Sequence, residues 1–200
     1  MKKLLLLLLL TASFSTFAGS HLDFSLSDFC YKMPKVQDRG GIYYFPNEEV
    51  GITARSLCVY KNAYGQYQSK GKLKNGKPDG KWTLWHKNGQ KSADENYKDG
   101  KRQGKETTWY ENGQKWYEEN WENGKLDGKQ TWWHSNGQKA LEANYINGKR
   151  QGKETWWYKN GQLASEENYI DGKPDGKSTE WNEDGTIKKV EYYENGELVN

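Results

Sequence analysis

Residues 75–98 read NGKPDGKWTLWHKNGQKSADENYK, and the stretches at 99–122, 123–146, 147–170 and 171–194 repeat its landmarks every 24 residues without a gap. Each opens on Asn/Asp-Gly, carries a second Gly four residues on, and then a Thr-x-Trp. The Trp column is Trp85, Trp109, Trp133, Trp157 and Trp181, and each unit closes on an aromatic: Tyr97, Trp121, Tyr145, Tyr169 and Tyr193. A sixth copy opens at Asn195-Gly196. A fixed period in this range marks a repeat array, in which each unit buries its apolar surface against its neighbours.

Within one unit, Lys81 to His86 is a short run rich in aromatic and β-branched residues, ended by Lys87-Asn88-Gly89-Gln90. Asn-Gly between two such runs is a strong hairpin signal, because both residues tolerate the positive φ of a type I′ turn. The return strand is expected over about residues 91–97. The stretch from Asn75 to Gly80 holds two glycines and a proline and reads as a turn rather than a strand. No stretch has helical periodicity over a useful length. The predicted fold is all-β: tandem hairpins stacked side by side into an elongated antiparallel meander of about ten strands. Strands about 4.8 Å apart make each unit advance about 10 Å.

Alternation divides the outgoing strand into two faces. Thr83, Trp85 and their equivalents recur in every unit and are expected on the packing seam, with the closing aromatics as part of the structural repeat. The opposite positions vary: Leu84, Thr108, Trp132, Trp156 and Glu180, with His86, Tyr110, His134, Tyr158 and Asn182 beside them. A constant face reads as structural. A varying face that stays aromatic in the middle units is where a ligand would sit, so Leu84, His86, Tyr110, Trp132, His134, Trp156 and Tyr158 form the candidate contact surface. The competing reading has these aromatics pack only against the sheet, which is poor in aliphatic side chains. The register of the return strand depends on the turn type, and a slip of one residue exchanges its faces. Trp116 and Tyr117 therefore take no face at this level.

The N-terminus has the form of an export signal: Lys2-Lys3, an apolar run from Leu4 to Leu10, and a small-x-small end at Thr16-Phe17-Ala18. The run is well short of the roughly 20 residues that span a membrane. Gly19 rather than Cys stands directly after Ala18, so no lipid anchor is expected there. The reading is a leader at 1–18, an N-terminal cap at 19–74 and the array at 75–200, exported to the periplasm, the cell surface or the medium. The two cysteines, Cys30 and Cys58, lie in the cap. In an exported chain they pair most simply as a disulfide worth about 3 kcal/mol, the alternative being two buried thiols. Residues 57–74 look like a degenerate repeat, with Leu73 in place of the closing aromatic.

The pattern Asn123-Gly124-Lys125, Gly128-Lys129, Trp133, Asn136-Gly137-Gln138 and Tyr145 resembles MORN-type repeats, and it recurs through residues 75–196. The closest form is the bacterial variant often described as the antitoxin of a toxin–antitoxin pair. The resemblance implies a curved, elongated stack of β-hairpins used for binding and scaffolding, with no catalysis in the repeat itself.

Charge and motif content narrow the function. The formal charge is +3, and residues 75–194 hold 20 Lys/Arg against 21 Asp/Glu, interspersed through every unit. That is not the basic stripe of a nucleic-acid binder. Of three histidines, His86 and His134 stand two units apart, about 20 Å across a sheet and too far to share a metal. No nucleophile–base constellation and no phosphate-cradling loop is present, so no enzyme, cofactor or metal is expected. The leading expectation is a protein-interaction or scaffolding array, with an immunity-like role as a special case. The alternative is binding of a glycan or cell-wall polysaccharide, with aromatic rings stacked on successive sugars. The last strand leaves an open edge, so end-to-end pairing of two copies is a further expectation.

Overall fold

Asn-Gly or Asp-Gly dipeptides stand at both ends of the hairpin in each of the five units, and the chain uses them in two different ways. At Asn123-Gly124 both residues take positive φ, 52° and 81°, as a type I′ turn requires. At Asn136-Gly137 only Gly137 does, at 86°. There Gly137 N–H donates to the His134 carbonyl at 2.8 Å, and His134 N–H donates to the Gln138 carbonyl at 2.8 Å. This is a three-residue loop, a tight turn followed by a left-handed glycine. The type I′ turn expected at Asn88-Gly89 thus lies instead at Asn75-Gly76 and its equivalents. The segment read as turn from Asn75 to Gly80 contains that turn and also a two-residue strand, Lys77–Pro78, which pairs back onto Leu73 and Lys74.

The computed structural model describes residues 37–38, 43–44, 54–59 and 67–199, with side chains from 68 to 199. The leader at 1–18 and Cys30 lie outside the described residues. Of Cys58, the backbone place is described, in strand Ala54–Val59 opposite Ser69. Each unit supplies a two-residue strand, a six-residue outgoing strand and an eight-residue return strand, as in Lys125–Leu126, Gly128–Trp133 and Lys139–Ile146. Every pairing is antiparallel, and every long hairpin carries the same one-residue register shift near its loop. Strands Ala54–Val59 and Tyr67–Lys74 pair with that same shift and join the array through Ser69↔Leu84 and Lys70↔Thr83. The result is one open sheet of tandem hairpins, since no described pairing joins Ala54–Val59 to the strands at the far end.

Register settles the faces. One row of facing residues runs Lys70, Thr83, Asp94, Thr107, Glu118, Thr131, Glu142, Thr155, Glu166, Thr179, Val190. On this uniform face Glu142 accepts from both Lys129 and Lys139, at 2.7 and 2.6 Å, and the Trp column stands beside it. Lys91, Lys115 and Lys139 each sit over the Trp ring of the following unit, 5.4–5.9 Å from its centre. Burial pushes the Glu118 carboxyl up, but hydrogen bonds from Lys115 and Lys105 outweigh it and leave it below the usual range. The closing aromatics lie on the opposite face. Each faces a glycine across the ladder, as Tyr145 faces Gly128.

Units are coupled by side chains that reach for backbone. Asn136 Oδ1 holds its own loop at Gln138 N–H, while its Nδ2 donates to the Lys159 carbonyl of the next unit at 2.8 Å. Asn88, Asn112 and Asn160 repeat this bond. At the other end of the hairpin, Asp127 accepts from Asn147 N–H, and Gly148 N–H donates to the Leu126 carbonyl.

Candidate functional site

The variable face is built on the row Ser69, Leu84, Ala93, Thr108, Tyr117, Trp132, Leu141, Trp156, Ser165, Glu180, Lys189. It is polar at both ends and, apart from Thr108, aliphatic or aromatic from Leu84 to Trp156. Leu141, Ala143 and Ala93 are buried here, so the core of the array lies on the face that varies. Trp132 and Trp156 stay half-exposed.

The aromatics touch one another across three units. Ring centres are 5.7 Å apart for Tyr110–Trp116, 5.3 Å for Trp116–Tyr117, 6.5 Å for Tyr117–Trp132 and 6.1 Å for Trp132–Trp156. Trp116 occupies the register shift of its hairpin and is 47% exposed. The edge-to-face contact between Trp132 and Trp156, at 84°, locks the two rings without stacking them.

Buried carboxylates flank this string in alternate units. Glu106 is 1% exposed, accepts from Tyr117 Oη at 3.1 Å and faces Arg102 Nη1 at 3.2 Å. Two units on, Glu154 accepts from Trp156 Nε1 at 2.9 Å and faces Arg150 Nε at 3.1 Å. Burial holds both carboxyls above the usual carboxylate range, against the pull of their arginines. The guanidiniums in turn lie over aromatic rings, Arg102 on Trp121 at 4.9 Å and Arg150 on Tyr169 at 5.0 Å. Burial, with a hydrogen bond to Glu167, pushes the Tyr169 hydroxyl up to about 12. Each paired cluster fixes an aromatic on either side of it, because the carboxylate takes a donor from one ring and the arginine covers another.

The sequence-derived candidates separate into two groups. Leu84, Trp132 and Trp156 lie in the central row. His86, Tyr110, His134 and Tyr158 sit in the loops and reach the following unit: their side chains bond the carbonyls of Trp109, Trp133, Trp157 and Trp181 at 2.7–2.8 Å. A carbonyl only accepts, so Nε2 of both histidines carries the proton. Residues the sequence reading did not place are Trp116, Tyr117, Leu141, Glu106 and Glu154. The signal for the two glutamates was present. Lys-Arg-Gln-Gly-Lys-Glu stands at 101–106 and again at 149–154, a doubled period laid over the single one.

Among the described residues no group of three or more His, Cys, Asp or Glu is placed to hold a metal ion. No helix there is long and apolar enough to cross a membrane.

No curated protein matches the chain. The family model described as "MORN repeat variant" matches five tandem segments, 78–99, 102–125, 126–147, 150–171 and 174–195, together more than half of the sequence. Its boundaries follow the same 24-residue frame as the hairpins, and the chain belongs to the MORN repeat variant family.

Proposed function

We propose that this chain is a non-enzymatic binding module that works outside the cytoplasm and grips a protein partner through the variable face. The observation that carries this reading is the continuous ring-to-ring string from Tyr110 through Trp116, Tyr117 and Trp132 to Trp156. Large aromatics beside arginines, held by buried partners and ringed by polar groups, are the composition of interface hot spots. Export rests on the leader at 1–18, and a Cys30–Cys58 disulfide belongs to the same compartment. An immunity-like partner is one form this binding takes. Polysaccharide binding is the second reading, favoured by the exposed Trp116 face. It is weakened by the edge-on contact of Trp132 and Trp156, because stacking on successive sugars needs open parallel faces.

The test is a pull-down of the purified protein against envelope extract and against insoluble cell-wall polysaccharide. A Trp132→Ala/Trp156→Ala variant and a Trp116→Ala variant, each checked for folding by circular dichroism, run beside it. Capture of a discrete protein, lost in the folded variants, is the expected result. Sedimentation with polysaccharide that the variants lose replaces this reading with the glycan one.

A further inference from the structure

The seam between units depends on donors in each loop and return strand, and the fifth unit lacks them. Where Asn160 donates forward to the Glu183 carbonyl, the fifth unit has Asp184, which only accepts and is taken up by Thr186 of its own loop. Where Tyr158 reaches the Trp181 carbonyl, Asn182 bonds Thr186 within the loop. Where Asn120 Nδ2 crosses to the Lys129 carbonyl, the fifth unit has Tyr192. The Thr–acid ladder also ends, on Val190.

What replaces them is apolar and exposed. Ile187, Val190 and Tyr192 share one face of the strand Ile187–Glu194 and are 63%, 38% and 46% exposed. The outer rim of that strand is open over its middle. Val199 N–H donates to the Tyr192 carbonyl, so the backbone groups of Tyr192 point away from the body of the sheet. Strand alternation gives Val190 the same outward N–H and C=O, and no described residue pairs with them. An open strand of this kind templates pairing with another strand.

We propose that this rim pairs antiparallel with the same strand of a second copy, centred on Val190. In that register Lys189 of each copy faces Glu191 of the other, so the charges complement one another twice across the two-fold. The Val190 side chains lie together, with Tyr192 diagonal to them on the same face. A further repeat unit is held less well than any within the array, because the forward donors of the loop and return strand are gone and only the turn bonds of Asn195 and Gly196 to Asp175 and Pro174 remain. Symmetric pairing needs only backbone groups and the Lys189/Glu191 match. It also closes at two copies, where head-to-tail stacking would grow a filament.

Sedimentation equilibrium of the purified protein is the test, with twice the monomer mass expected at high concentration. Lys189→Glu sets Glu against Glu across the two-fold, and Glu191→Lys sets Lys against Lys. Each variant alone is expected to be monomeric, and an equal mixture is expected to recover the doubled mass as a mixed dimer. The contact between Lys189 and Glu191 within one chain, at 2.6 Å, does not predict that rescue. Val190→Pro removes an outward donor and no bond inside the sheet, so it is expected to give a folded monomer. A monomeric wild type at the highest attainable concentration, charge variants that still dimerise, or a mixture that stays monomeric would overturn the proposal.

Discussion

The two faces of the sheet solve one problem with different materials. The uniform face repeats Thr, acid, Lys and Trp almost unchanged from Thr83 to Glu166, and its acids are half-exposed and served by lysines on either side. The variable face holds most of the buried side chains, Leu141, Ala143, Glu106 and Glu154 among them, while on the uniform face only Thr131, Thr155 and Thr179 are buried among the described residues. Uniformity and burial are therefore separate properties. The constant face spaces the strands, while the changing one supplies most of the core and the proposed contact surface.

The largest expected effect lies on the variable face. Leu141→Ala empties a site that is 3% exposed and should cost about 2–4 kcal/mol in denaturant unfolding. A loss no greater than that of a surface ion pair would erase the distinction between the faces. Next comes Gly71, over which the Trp82 ring lies so closely that an added Cβ would stand 2.1 Å from it. Gly71→Ala should cost about 1–3 kcal/mol by forcing that ring aside, and a Trp82→Leu background should relieve most of it.

Acid is expected to move the faces in opposite directions. Hydrogen bonds from Lys129 and Lys139 hold the Glu142 carboxyl low, so its contribution is present above its unfolded value and lost as pH falls through the folded one. Burial holds Glu106 high, so the folded state binds the proton first and gains on the unfolded chain as pH falls into that window. Thermal melts between about pH 3 and 7 should show the deficit of Glu142→Gln shrinking toward acid and that of Glu106→Gln growing. Parallel trends would mean that the two carboxylates share one environment. The smallest effect is Glu142→Gln at neutral pH, about 0.5 kcal/mol and mostly screened in about 1 M salt.

The repeat, the outgoing strand and its two faces were legible because Thr-x-Trp alternates at the strand period in every unit. The extent of the return strand was legible too, but its register was not. That register hangs on the loop before it, and the same Asn-Gly dipeptide serves both a two-residue turn at Asn123 and a three-residue loop at Asn136. Tyr117 and Leu141 could not be placed without that distinction. The Arg102–Glu106 pair was hidden for another reason: the chain bends at Gly104 between them, where composition alone reads as turn.

The loop asparagines carry a consequence for how such a chain diversifies. Asn136 addresses the carbonyl of Lys159, and Asn112 that of Ser135. A carbonyl is common to every residue, so the coupling does not ask what its neighbour is. As far as these bonds go, units behave as interchangeable parts, and only the side chains that meet across a seam, such as Trp132 and Trp156, have to match. The recognition surface can then be rewritten module by module while the coupling stays constant.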